Sequence, residues 1–170
     1  WTQRATSGPA ARNGHAMAYD AARGMTVLFG GSTSTGSIGD TWEWDGTSWA
    51  QRLITGPPAR SYHAMAYDAV RGVTALFGGY TSAGSIAETW EWNGTSWTQR
   101  AATGPSARFY HAMAYDAARG VTVLFGGSTP AGYNGETWEW SGTSWVWRRL
   151  NTLQVPIDPA SSLQVSVSKN

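Results

Sequence analysis

The chain contains no cysteine, which removes disulfides, thiolate metal sites and redox sensing together. Lysine occurs once, at Lys169, and basic residues form no run. Twelve basic against eleven acidic side chains leave a net charge of +1, so the chain offers no charged surface to a phosphate backbone and nucleic acid is not an expected partner. No apolar stretch approaches the ~18 residues that a membrane-spanning helix needs. Charged residues are also few, at 14% against 41% hydrophobic and 13% aromatic, which excludes a disordered chain and supplies a core. Catalytic signatures are missing too: there is no G-x-S-x-G, no H-E-x-x-H and no P-loop, and no enzymatic activity is expected.

What the chain does have is repetition. His-Ala-Met-Ala-Tyr-Asp begins at His15, His63 and His111, so a unit of 48 residues recurs without insertion or deletion. Each unit reads R-x-x-H-A-M-A-Y-D, then R-G-x-T-x-L-F-G-G, then a variable stretch, then (D/E)-T-W-E-W-x-G-T-S-W. A period near 50 residues made of short strands indicates propeller blades. In the first unit, His15–Asp20 alternates large and small residues, as suits a crowded innermost strand. Thr26–Phe29 is apolar on both faces, as in a strand sandwiched between blades. Thr41–Trp44 sends both indoles to one side, and Asp45-Gly46, Asn93-Gly94 and Ser141-Gly142 read as hairpin turns into an outer strand, Trp49–Arg52 in the first unit.

These motifs resemble the kelch repeat, on the double glycines Gly30-Gly31, Gly78-Gly79 and Gly126-Gly127 and the downstream Trp49, Trp97 and Trp145. The resemblance covers about 150 residues and implies an all-β, kelch-type β-propeller with three four-stranded blades over about 12–52, 60–100 and 108–149. Kelch propellers are mostly binding modules and some are enzymes, so fold alone does not choose. The copper-radical oxidases that resemble kelch proteins are excluded, because their cofactor contains a cysteine.

Trp1-Thr2-Gln3-Arg4 matches the outer strands at Trp49, Trp97 and Trp145, and is expected to be an orphan outer strand over 1–4. Propellers usually close with four to eight blades. Three blades make half of a six-bladed ring, and each open end would expose at least ~500 Å² of aromatic-rich surface, at the upper end of what monomers carry. The chain is therefore expected to partner itself, as a homodimer closing six blades or as a polymer. An excised half of a longer propeller is the competing explanation. Residues 150–170 read as a proline-containing linker followed by a single strand. The opening at Trp1 without a charged-then-apolar leader, and a surface rich in Thr, Ser, Gly, Asn and Trp, point to a processed, extracellular protein or a piece of a longer one.

The groups first nominated for catalysis are His15, His63, His111, Asp20, Asp68, Asp116, Glu43, Glu91 and Glu139, and all recur once per unit. Recurrence in every blade favours a structural task, so no catalytic residue, metal site or cofactor is expected. Arg12, Arg60 and Arg108 are expected to pair with the glutamate of the W-E-W strand between blades, and Asp20 with Arg23 to tie a turn. Asn93-Gly94-Thr95 is a formal glycosylation sequon as well as a turn. The units differ at Asn13-Gly14, Ser61-Tyr62 and Phe109-Tyr110, at Ser32, Tyr80 and Ser128, and across 37–39, 85–87 and 133–135. Kelch topology puts these stretches at one end of the propeller. The candidate ligand contacts are accordingly Tyr62, Tyr80, Phe109, Tyr110, Tyr133 and Asn134, because rings stack on sugar faces or anchor proteins while small polar groups bond hydroxyls. Drift in exposed loops explains the same differences. The expected function is a non-catalytic binding module for glycan or extracellular protein, and the alternative is a structural, self-assembling extracellular component.

Overall fold

Strands form where short apolar alternations are cut by glycines that can take left-handed backbone. In the computed structural model, which describes residues 2, 4, 5, 7–100 and 103–149, the first unit runs β1 (Ala16–Asp20), β2 (Met25–Phe29), β3 (Ser32–Thr33), β4 (Gly36–Ser37), β5 (Thr41–Trp44) and β6 (Trp49–Arg52). The second runs β7 (Ala64–Asp68), β8 (Val73–Phe77), β9 (Tyr80–Thr81), β10 (Gly84–Ser85), β11 (Thr89–Trp92) and β12 (Trp97–Arg100). The third runs β13 (Ala112–Asp116), β14 (Val121–Phe125), β15 (Ser128–Thr129), β16 (Gly132–Tyr133), β17 (Thr137–Trp140) and β18 (Trp145–Arg148). Three four-stranded antiparallel sheets result, β1-β2-β5-β6, β7-β8-β11-β12 and β13-β14-β17-β18, and the described residues contain no helix. The remaining strands form three two-stranded ribbons, β3-β4, β9-β10 and β15-β16, one inserted in each unit. Innermost strands of successive sheets lie side by side, β1 beside β7 and β7 beside β13, which is a propeller-like arrangement of blades.

The core lies between the blades. Val27 and Phe29 of blade 1 pack with Met65, Leu76, Trp92 and Trp97 of blade 2. Ala75 and Phe77 of blade 2 pack with Leu124, Trp140 and Trp145 of blade 3. Each blade thus has a trailing face, carrying the phenylalanine of its second strand, and a leading face, carrying two tryptophans. Alternation in the third strand divides polar work in the same way. Thr41 and Glu43 turn toward the next blade, where Trp97 Nε1 donates to Thr41 Oγ1 at 2.9 Å and Trp92 Nε1 donates to Glu43 Oε1 at 3.0 Å. The second junction repeats both, Trp145 to Thr89 at 2.9 Å and Trp140 to Glu91 at 2.9 Å. A buried indole N–H needs an acceptor, and here the neighbouring blade supplies it.

The double glycines sit where the next blade's backbone arrives. Gly30 and Gly31 have φ of 63° and 101°, and a Cβ on Gly30 would lie 2.7 Å from the carbonyl oxygen of Arg60. Only glycine fits such an approach. Gly31 N–H donates to Arg60 O at 2.9 Å, and Arg60 N–H donates back to Ile38 O at 3.2 Å. The Arg60 guanidinium, meanwhile, donates to Gly78 O at 3.0 Å and to Glu88 Oε2 at 2.5 Å within its own blade.

This geometry corrects one sequence expectation. Arg12, Arg60 and Arg108 pair with Asp40, Glu88 and Glu136, the acids just before the third strand, and they do so within a unit rather than between blades. The W-E-W glutamates are occupied from the other side of the sheet: Glu43 by Arg23 and Arg52 at 2.7 and 2.6 Å, Glu91 by Arg71 and Arg100 at 2.5 and 2.7 Å, and Glu139 by Arg119 and Arg148. The outer hairpins turn where the sequence placed them, through four-residue loops with positive φ only at the glycine. Asp45 Oδ1 accepts the N–H groups of Thr47 and Ser48 at 2.7 Å each, so the side chain supplies the loop's hydrogen bonds. The expected Asp20–Arg23 tie is present at 2.6 Å. Of the expected orphan strand, Trp1 and Gln3 lie outside the described residues and Thr2 and Arg4 belong to no strand; the linker and strand expected over 150–170 also lie outside them.

Arg60 is fully buried, so replacing it with methionine strands Gly78 O and leaves Glu88 without its cation inside the same blade. The expected loss is about 3 kcal/mol or more in urea denaturation, with Arg60→Lys failing to restore it because a single ammonium cannot reproduce the fork.

Candidate functional site

The three variable stretches of each unit meet in space. Ser32 bridges both Asn13 and Ser37, Tyr80 bridges Ser61 and Ser85, and Ser128 bridges Phe109 and Tyr133. The connection into the innermost strand and the ribbon after the second strand therefore form one continuous end of each blade, as the kelch resemblance implied.

On that end four of the six candidate contacts form an unbroken row of rings. Tyr62 and Tyr110 lie 4.5 Å apart between centroids, Tyr110 and Phe109 4.9 Å, and Phe109 and Tyr80 5.3 Å. The row bridges blades 2 and 3, and Tyr62 OH extends it toward blade 1 through a long 3.4 Å hydrogen bond to Asn13 Oδ1. Tyr110 is 61% exposed, and Tyr62 and Phe109 are half-buried beneath it. Tyr133 stands apart at 96% exposure. Asn134 has its carboxamide oxygen engaged, accepting Glu136 N–H at 2.7 Å and Arg108 at 3.5 Å. Both nevertheless line, with Tyr110, Phe125, Gly126 and Gly127, a cleft of about 260 Å³ on the loop end of blade 3.

Backbone strain marks the row. Tyr62 and Tyr110 hold φ of 59° and 58°, the only non-glycine residues with positive φ among those described. The aligned position in the first unit is Gly14, with φ of 61°. The fold demands left-handed backbone here, glycine meets it freely, and tyrosine meets it at a cost of about 1–2 kcal/mol.

The recurrent carboxylates are saturated instead, whereas both ring nitrogens of His63 and His111 are buried without a hydrogen-bond partner among the described residues. Asp20 accepts the N–H groups of Ala22 and Arg23 at 3.1 Å each as well as the Arg23 side chain, and its counterparts in the other blades do the same. Burial raises the carboxyls of Asp40 and Glu88, but hydrogen bonds from their arginine and tryptophan partners outweigh it and hold both below the usual range. His63 and His111 are wedged edge-on against Phe29 and Phe77 of the preceding blade, with ring centroids 5.6 Å apart in both cases. Among the described residues no group of three or more His, Asp or Glu side chains is placed to hold a metal ion.

Burial, and secondarily the charge of the adjacent arginine, lowers His63 to about 3 and His111 to about 4 from a usual 6.5. The folded state thus binds these protons more weakly than the unfolded chain. Stability is complete above pH 6.5 and is lost as pH falls toward 4, by up to about 1.4 kcal/mol per pH unit for each histidine. Depressed carboxylates such as Asp40 and Glu88 add their own loss at lower pH. Urea titrations at pH 7, 6, 5 and 4.5 should show this slope, and His63→Phe should flatten it by about half.

No protein-family model matches the chain and no curated protein matches it, so the functional reading rests on the site's own geometry.

Proposed function

We propose that the chain is a kelch-type β-propeller module that binds glycan or extracellular protein through the ring row Tyr62–Tyr110–Phe109–Tyr80, with no catalytic step. The observation that carries this reading is the pair of tyrosines kept in left-handed backbone where the first unit has glycine. Strain of this kind brings folding no benefit and persists where a side chain is needed in place. Exposed rings flanked by Thr81 and Ser82 match the apolar face and hydroxyl rim of a pyranose, and they equally match the aromatic anchors of a protein contact. A second reading, a self-assembling structural component, is favoured by a different observation. Phe29 and Phe77 are 0% and 1% exposed beneath the following blade, whereas Phe125 is 58% exposed.

Tyr62→Gly and Tyr110→Gly test the binding reading, because glycine relieves the backbone while deleting the ring. Folding stability should stay within about 1 kcal/mol of the parent. Retention on a glycan array or by extracellular protein pull-down should weaken about thirtyfold, as for truncation of an anchor worth about 2 kcal/mol. Variants that bind as well as the parent would remove the row from the contact surface.

A further inference from the structure

We propose that the trailing face of blade 3 docks onto the leading face of blade 1 in a second copy of this chain, rebuilding between molecules the junction that the fold makes twice within one. The inference rests on the assembly reading above and gives it a surface and a pairing. Both internal junctions use the same contacts, so they act as templates for a third. Phe29 meets His63 and Trp97 with centroids 5.6 and 5.2 Å apart, and Phe77 meets His111 and Trp145 at 5.6 and 5.2 Å. Phe125 holds the same place in blade 3 and has no such neighbours among the described residues.

Among the described residues, every group missing from the tail is one that the head leaves free. Gly31 and Gly79 donate N–H to Arg60 O and Arg108 O at 2.9 Å each, while Gly127 N–H has no partner among the described residues; at the head, the Arg12 carbonyl has none either. Thr41 and Thr89 accept the indoles of Trp97 and Trp145, whereas among the described residues Thr137 accepts none and the Trp49 indole has no acceptor. Glu43 and Glu91 accept Trp92 and Trp140, whereas among the described residues Glu139 lacks an indole donor and the Trp44 indole lacks an acceptor. His15 is exposed where its counterparts are buried under phenyl rings.

The 260 Å³ cleft on the loop end of blade 3 is accordingly a socket rather than a small-molecule pocket. At the first junction the same position is filled: a Cβ on Gly30 would sit 2.7 Å from Arg60 O and 3.1 Å from His63 Cε1. A Cβ on Gly126 would meet nothing nearer than Asn134 O of its own unit, at 3.4 Å. Filling the socket takes a carbonyl acceptor, an edge-on imidazole and two indole donors at blade spacing, and the head of this chain carries that set. Two chains docked tail to head at both ends close a twofold ring. The inference moves Tyr133 and Asn134, which line the socket, from the ligand surface to the junction.

Sedimentation equilibrium at micromolar concentration tests this with two exposed substitutions, Phe125→Glu at the tail and His15→Glu at the head. The parent is expected at twice the 18.2 kDa chain mass. Each variant should fall to the single-chain mass, at least a hundredfold weaker in association, with an unchanged circular dichroism spectrum, while Phe125→Leu should keep the dimer. An equimolar mixture of the two charged variants should associate again, because the intact tail of one meets the intact head of the other. Dimers undiminished in either variant, or a mixture that stays single-chain, would overturn the seam while leaving assembly through another surface standing. A parent that sediments at the single-chain mass would overturn both.

Discussion

Two buried arginines hold the blades in sequence. Arg60 and Arg108 are each withdrawn from water, and each works in two directions at once. The guanidinium satisfies a glycine carbonyl and an acid of its own blade, while the main chain of the same residue exchanges hydrogen bonds with the blade before. A cation so buried is tolerable only when its donors are met. Blade internal geometry and blade spacing are therefore fixed by the same atoms. The first glycine of each inner pair is a consequence: Gly30 and Gly78 clear the space through which the arginine backbone reaches the preceding sheet.

The third strand extends that logic to polar side chains. Its alternation sets tryptophans on one face and threonine and glutamate on the other, so the third strand of one blade accepts indoles from the third and outer strands of the next. The glutamate also takes two arginines from its own sheet, and that shared load keeps it charged beside an indole. Apolar packing and hydrogen bonding thus point the same way at each junction, which is what lets a sheet with so few charged residues choose a single neighbour and a single register.

Strand positions were legible in the residues because they depend on local alternation and glycine punctuation; Thr41–Trp44 and Trp49–Arg52 fall where the pattern placed them. The arginine pairings were not, because Asp40 and Glu43 are both close in sequence, and the choice between them depends on which sheet face the guanidinium enters. The two-residue ribbons were also invisible, being too short to show a period of two. The strain at Tyr62 and Tyr110 had a signal that went unread: the aligned Gly14 marks a position where the backbone is left-handed in every unit. The gathering of the variable stretches was legible only through the kelch resemblance, since it depends on sheet order. The carboxamide of Asn134 looked available in the sequence, and its hydrogen bond to Glu136 N–H emerges only from the fold of its own loop.

The sameness of the repeats has a consequence for blade number. Every unit carries both halves of the junction, the glycine N–H, phenyl, threonine and glutamate on one face and the carbonyl, imidazole and two indoles on the other. A chain with one unit more or one fewer would present the same two ends. The size of any closed ring is then set by the wedge angle of the blade, a property of side-chain volumes at the junction, and not by residues reserved for the first or last unit.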